Sequence, residues 1–355
     1  MNDCAGHIRR VIAKAGPITV AEFMRIALAD PHSGYYARRN PISGDFITAP
    51  EISQIFGELI GLFFVQIWED CGRPKRFHLV ELGPGRGTLM SDMLRAARVS
   101  PDFLDAADIH LVEISPALRE MQRASLAAYL IEWHTDCARV PADAPLFVVA
   151  NEFFDALPVR QYVRTKMGWR ERLIGLDHGA FHFVTGDQAV DSMMPDHLRE
   201  APEGSVFERC DTARLACAHI CMRIIACGGA ALIIDYGHLH SGFADTFQAV
   251  KAHAYADPLT SPGEADLTCH VDFSALAKAA APQGARISGP TAQGTFLTAL
   301  GIRERAERLK RHTPSHAAMI ESGVERLVSD AQMGSLFKVL GLSSPGAPPL
   351  PGFAC

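Results

Sequence analysis

Residues 77–90 read "FHLVELGPGRGTLM". Six residues, "FHLVEL", have the length and apolar content of a buried strand, and Gly83, Gly85 and Gly87 follow at once. A helical pattern, "TLMSDMLRAAR", begins directly after them. Glycines between a strand and a helix let backbone come close to a ligand, so this stretch predicts the first βα unit of an α/β domain. The alternation continues downstream through "IHLVEI", "PALREMQRASL", "IEWHT", "LFVVANEF", "ARLACAHICMRII" and "GGAALIIDYG". Short apolar strands separated by helices predict a doubly wound, mostly parallel sheet. Outward from that core, 159–200 reads as an insertion of antiparallel strands, and a second insertion falls near 240–270. Residues 270–340 read as mainly helical, closing with "GSLFKVLGL". The expected division is an N-terminal helical segment with a lid loop over 1–75, a core over 76–340, and a Pro-rich tail over 341–355 extended on the surface. In the first segment Thr19 is the expected N-cap of a helix, with Glu22 completing a capping box.

The glycine spacing separates nucleotide ligands by chemistry. A dinucleotide fingerprint needs its third small residue five positions after the first, where Thr88 stands; the third glycine, Gly87, comes at four. The run ExGxGxG is the pattern of S-adenosylmethionine enzymes. Glu81 suits the ammonium of a methionine moiety, whereas its charge would repel a pyrophosphate. A ribose then calls for an acid at the end of the next strand, which Glu113 supplies. Asp136, after the third strand, stands where an adenine amino group would need an acceptor, though a loop or helix cap accounts for it equally well. The expected cofactor is S-adenosyl-L-methionine.

Bulk composition excludes several other classes. The chain has 355 residues, 48% of them hydrophobic, and a formal net charge of −6 from 34 basic and 40 acidic residues. That balance gives no field for nucleic acid or an anionic membrane. No apolar run reaches the ~20 residues of a membrane-spanning helix, and the N-terminal stretch lacks the apolar region of a secretory signal, so cytoplasmic residence is expected. The nine cysteines include no CxxC pair, which predicts buried free thiols and no metal. His238 and His240 have no completing ligands at zinc spacing. Two-fold dimers are common among soluble enzymes, but no stretch identifies an interface.

Six blocks, in order, carry a more specific resemblance: "GDFITAPEISQIFGELIG", "ELGPGRGTLMSDMLR", "NEFFDALPVRQY", "IIDYG", "DPLTSPGEADLTCHVDF" and "MGSLFKVLGL". Together they resemble the MidA-like proteins, the family of the mitochondrial complex I assembly factor that methylates arginine on a complex I core subunit. The resemblance spans nearly the whole chain. It implies a class I S-adenosylmethionine-dependent methyltransferase fold, with Gly83, Gly85 and Gly87 as cofactor loop and Glu113 as ribose acceptor. It also implies a protein arginine as methyl acceptor.

An arginine acceptor gives the acids of "NEFFDALP" a chemical task. A guanidinium stays protonated, with a pKa above about 12, and must be gripped and aligned for in-line transfer. Glu152 and Asp155 are the expected carboxylates, with Asn151 at the strand end orienting substrate or cofactor. Asp235 ends the strand "IIDYG" and is a further candidate, as is His270 as proton acceptor. Turn and cap roles compete for Asn151, Asp155, Asp235 and His270. The loop "SGDFITAPEIS" is expected to close over the cofactor, Phe46 offering an apolar face and Gln54 or Glu58 reaching inward. Two other functions stay open at this level: methylation of a small amine or another protein side chain, and a cofactor-binding assembly factor with little catalysis.

Overall fold

Residues 4–37, 48–251 and 254–353 are described by a computed structural model. They form two units. One comprises residues 1–46, 155–214 and 240–270, and the other residues 47–154, 215–239 and 271–355. The stretch expected as one N-terminal segment is thus shared between units, and both insertions fold with its first part.

The larger unit is built on a sheet whose strands are β1 Phe77–Leu82, β2 Ala107–Val112, β3 Ile131–His134, β4 Leu146–Asn151, β5 Gly229–His238, β6 Arg286–Ala292 and β7 Phe337–Ser343. Their spatial order is β6-β7-β5-β4-β1-β2-β3, and a short strand, Val271–Asp272, adds to the end of β5. β1 to β5 run parallel, while β7 is antiparallel to both β5 and β6. Every residue of β1 and β4 is buried, which is why these strands read as continuous apolar runs and not as alternation. The order reverses beside β1, so β1 and β4 open outward at their C-terminal ends, the place where open α/β sheets take ligands.

Three helices matter for the site: α1 Gln54–Asp70, α2 Thr88–Ala97 and α3 Pro116–Ser125. Ser53 caps α1 by accepting the Ile55 N–H at 3.3 Å. α1 and α2 meet at two glycines; a Cβ at Gly61 would lie 2.5 Å from the Met93 carbonyl oxygen, so backbone packs on backbone there. Phe63, Phe64, Trp68, Phe77, Phe103 and Phe147 fill the layer between helices and sheet.

Residues 270–340 are mainly helical, as expected, and they also supply β6 and the first part of β7, which complete one side of the sheet. Within "RISGPTA" only Ile287 and Thr291 favour a strand, and Gly289 and Pro290 disfavour one, so pairing with β7 makes β6 a strand, with its register shift between Ser288 and Thr291. The tail is not simply laid on the surface. β7 extends to Ser343, Leu350 is 4% exposed, and the Phe353 ring centroid lies 5.1 Å from that of Phe296. Two apolar anchors suffice to hold a Pro-rich segment whose backbone loses little entropy on ordering.

The smaller unit has helices Cys4–Ala15 and Val20–Ala29. One sheet pairs Ile18–Thr19, Gly168–Asp177, Arg160–Thr165 and Val206–Arg209 in that order, with Ala180–Ala189 added to Gly168–Asp177. A second sheet places Gln248–Lys251 between Ala254–Ala256 and Asp266–Thr268. Thr19 caps its helix through the Glu22 N–H at 3.0 Å. No helix of the described residues is long and apolar enough to cross a membrane.

Candidate active site

The turn after β1 is left-handed at each glycine, with φ of 64°, 52° and 81° at Gly83, Gly85 and Gly87. An L-residue reaches that region at a cost and glycine does not. The Gly83 N–H donates to the Val112 carbonyl at 3.0 Å, tying the turn to β2, and the Gly87 N–H donates to Pro84 at 2.7 Å. α2 then starts at Thr88 with Gly87 as N-cap, so its first N–H groups face the turn. Arg86 leans away to Glu51 at 3.4 Å.

Glu81, one residue before the end of β1, is 3% exposed. Burial pushes its carboxyl up to about 8, opposed by the N–H of Met90 and reinforced by the charge of Glu113. Its Oε2 is buried and has no hydrogen-bond partner among the described residues.

Glu113 follows β2 and is also buried. Burial raises its pKa, while donors from Ser115 and Gln122 pull the other way. The Ser115 N–H reaches Oε1 at 2.7 Å and the Gln122 amide reaches Oε2 at 3.4 Å. Gln122 is a residue the sequence did not single out. From α3 its amide also donates to the Gly85 carbonyl at 2.7 Å, and its oxygen accepts the Trp133 indole N–H at 2.9 Å. It links the glycine turn, the β2 acid and β3. Only its position on the inward face of an amphipathic helix could have flagged it, because a buried glutamine is unusual there.

At the end of β4 the chain makes a different kind of turn. Glu152 has φ of 50°, left-handed for a residue with a side chain, and its N–H donates to the Ile234 carbonyl at 2.9 Å. Its Oε1 accepts the Ala49 N–H at 3.1 Å and the Asn151 amide at 3.2 Å. Asn151 is 8% exposed, and its amide oxygen has no hydrogen-bond partner among the described residues. Asp235 is fully buried in β5, one residue past the Ile234 that pairs with Asn151 at the end of β4; its oxygens accept the N–H groups of Phe154 at 3.0 Å and Tyr236 at 2.9 Å. It therefore fixes the backbone that presents Glu152. The two turns touch: a Cβ on Gly83 would lie 2.9 Å from Cδ2 of Phe153. Glu81, Gly83, Glu113, Asn151, Glu152 and Asp235 thus all stand at one edge of one sheet.

The other expected residues make the following contacts. Asp155 begins a stretch of the smaller unit, where it is buried and its carbonyl accepts the Cys269 N–H at 3.0 Å. His270 ends another stretch of that unit, its N–H donating to Thr246 Oγ1 at 2.9 Å. Asp136 is exposed and accepts the Ala138 N–H at 2.9 Å, capping a short 3-10 turn. Gln54 is exposed, and its amide reaches Glu58 one turn along α1 at 3.3 Å. Glu58 is bound in turn by Arg95 at 3.0 Å and Arg305 at 2.7 Å. That ion-pair cluster accounts for a buried acid that the sequence offered as reaching toward a ligand. Phe46, with residues 43–47 of the expected lid loop, lies outside the described residues; the rest of the loop includes the short helix Ala49–Ile52.

The donor and acceptor inventory fits an S-adenosyl-L-methionine moiety. Two buried acceptors, Glu81 Oε2 and Asn151 Oδ1, sit on neighbouring strands where Leu82 pairs with Ala150, and unsatisfied acceptors of this kind call for a donor such as an ammonium. The left-handed glycine turn lies directly beside them, since Gly83 follows Leu82.

Comparison with known proteins gives independent findings. The model of a family described as "Putative S-adenosyl-L-methionine-dependent methyltransferase" matches residues 59–291. The mitochondrial protein arginine methyltransferase NDUFAF7 of Homo sapiens is 38% identical, over 95% of this chain and 82% of the relative. Its Xenopus tropicalis counterpart is 36% identical, over 99% of this chain and 90% of the relative. A crystal structure from Burkholderia thailandensis, with S-adenosyl-homocysteine bound, matches with a TM-score of 0.86 at 30% identity, over 98% of this chain and 93% of that one.

Proposed function

The chain belongs to that family of S-adenosyl-L-methionine-dependent methyltransferases, and from this premise we propose that it methylates the guanidinium of a protein arginine, with Glu152 as the group that holds the acceptor. When bound, the cofactor supplies an electrophilic methyl group on a sulfonium. Glu81 and the Asn151 amide oxygen would accept the hydrogens of its ammonium, Glu113 would accept from its ribose, and the glycine turn would bring backbone close to it.

The observation that carries the acceptor assignment is the backbone of Glu152. A non-glycine residue held at φ 50° stores about 1–3 kcal/mol, and such strain persists only where neighbouring structure imposes it. Here the Ile234 carbonyl, which accepts the Glu152 N–H, and the Asp235 carboxylate, which accepts the Phe154 N–H, hold the backbone, while the Ala49 N–H and the Asn151 amide orient the side chain. The result is a carboxylate presented at the ligand edge of the sheet, oriented before any cation arrives. One edge of a guanidinium bound there would direct its opposite nitrogen away from the acid, and charge would be held on the far side of the attacking atom. Asp155 and His270 are proposed as second carboxylate and proton acceptor, and Asp136 as the acceptor for the adenine amino group.

The curated relatives are named as protein arginine methyltransferases, which supports a protein as substrate. A respiratory complex I subunit is the proposed protein, on the resemblance to the assembly-factor family. Cytoplasmic residence and a homodimer complete the proposal.

Incubation of the full chain with methyl-labelled cofactor and lysate from a strain lacking it tests the reading. The expected result is label on arginine nitrogen of one or a few proteins, found by mass spectrometry. Label confined to a small amine, or to lysine, would overturn the acceptor while leaving the family assignment intact.

A further inference from the structure

On the same sheet, but away from the glycine turn, three histidines form a row. His78 in β1, His110 in β2 and His134 in β3 are staggered by two residues per strand: Val80 pairs with His110, and Val112 with His134. Parallel pairing puts them on one face. Their ring centroids are 4.9 Å and 5.1 Å apart, and their side chains are 0%, 2% and 13% exposed. Nothing in the proposed methyl transfer uses them.

Proton accounting along the row is directional. Asp143 Oδ1 lies 2.9 Å from His78 Nε2, and a carboxylate can only accept, so His78 Nε2 carries the hydrogen. In the neutral ring His78 Nδ1 is then an acceptor. It faces His110 Nε2 at 2.9 Å, which must donate. His110 Nδ1 is left with a lone pair. Opposite it stand Glu132 Oε2 at 3.6 Å and His134 Nε2 at 3.0 Å. The glutamate also offers only lone pairs, and a single hydrogen on His134 can serve one of the two acceptors but not both.

We infer that His110 Nδ1, His134 Nε2 and Glu132 Oε2 are three ligands of a binding site for one divalent transition-metal ion of the zinc class. The third edge of the triangle, Glu132 to His134, is 4.0 Å. Edges of 3.0, 3.6 and 4.0 Å leave a point about 2.1 Å from all three atoms, within the about 2.0–2.2 Å bond lengths of zinc to imidazole and carboxylate. Two imidazoles and a carboxylate, with one position open to water at the edge of the sheet, suit zinc and its neighbours better than calcium or magnesium, which prefer oxygen. The outer nitrogen of His110 is held by His78, which is held by Asp143, and Arg76 fixes Asp143 at 2.7 Å. Such outer contacts orient ligating imidazoles.

The site has a structural consequence. β3 is the edge strand, and its end also supports the ribose-side acid: the His134 carbonyl accepts the Glu113 N–H at 2.9 Å and the Arg119 guanidinium at 2.9 Å. An ion joining β2 to β3 at His110 and His134 would clamp the strand that positions Glu113.

Competition between the untagged full chain and a chromophoric chelator, with zinc as the probe, tests the inference. One tightly held equivalent is expected, with affinity falling at least tenfold in His134→Ala and in Glu132→Gln. Both side chains reach solvent, and circular dichroism confirms that each variant folds. Cobalt as a second probe should give ligand-field bands of a nitrogen–oxygen site in the natural chain, lost in His134→Ala, without the thiolate charge-transfer band that a cysteine site would show. Zinc affinity equal in the natural chain and both variants, or no stoichiometric binding by the natural chain, would overturn the site and leave a hydrogen-bonded histidine row only.

Discussion

The two turns that open the sheet achieve the same backbone geometry by opposite means. After β1 the chain turns left-handed at Gly83, Gly85 and Gly87, where no side chain opposes it. After β4 it turns left-handed at Glu152, where a side chain does oppose it. The first turn gives up side chains so that backbone can meet a ligand. The second keeps a side chain at energetic cost, because the carboxylate is what the turn has to present. Asp235 holds that second turn in place from the neighbouring strand.

The comparison predicts which substitutions each turn tolerates. Glu152→Gln should lower methyl transfer by about 10²–10³-fold with cofactor affinity unchanged, the scale for losing one oriented electrostatic partner. Single-turnover rates beside calorimetry would show the split. Glu152→Gly, which removes the strain together with the acid, should be just as inactive; an active glycine variant would break the comparison. Gly83→Ala should act in reverse, costing about 1–3 kcal/mol of stability and weakening the cofactor, since its Cβ would press on Phe153 at a left-handed position. Unchanged denaturant midpoint and affinity in that variant would show that the turn can relax.

A pH dependence sharpens the contrast further. Glu81 is held up to about 8 in the free protein, so between the ordinary carboxylate range and pH 8 the unfolded chain has released a proton that the folded chain retains. Stability of the free protein should therefore fall as pH rises through that window, because ionising a buried acid costs energy. A cofactor ammonium favours the ionised form, so its affinity should rise up to pH about 8, by at most about tenfold per unit. Melting curves at pH 6 and 8, with and without cofactor, measure both; a pH-independent affinity would remove Glu81 as the ammonium acceptor. The smallest expected effect is Gln122→Met. Losing its bonds to Gly85 and Glu113 should cost about 0.5–1.5 kcal/mol in cofactor binding, with little change in the rate of the bound complex.

How much of this was legible in the sequence depended on how local the physics was. The glycine turn, the Thr19 cap and the parallel strands are written within a few residues, because glycine spacing, a capping hydroxyl and apolar runs act on adjacent backbone. Those features, with the order of strands and helices, determined an α/β methyltransferase sheet and where its ligand edge lies. Relations between distant segments were not written that way. Gln122 reads as one polar residue on a helix until α3 packs it against the glycine turn 37 residues earlier. Asp235 reads as a catalytic candidate until its oxygens are seen to hold the turn at Phe154, and Gln54 reads as a ligand contact until it meets Glu58. The histidine row needs three strands in register before its nitrogens face one another. Sequence alone determined which chemistry is possible at the sheet edge, since residue type and short spacing fix charge and backbone freedom. Tertiary structure decided which groups stand there and how they are held, because burial and long-range pairing settle which backbone and side-chain donors each carboxylate meets.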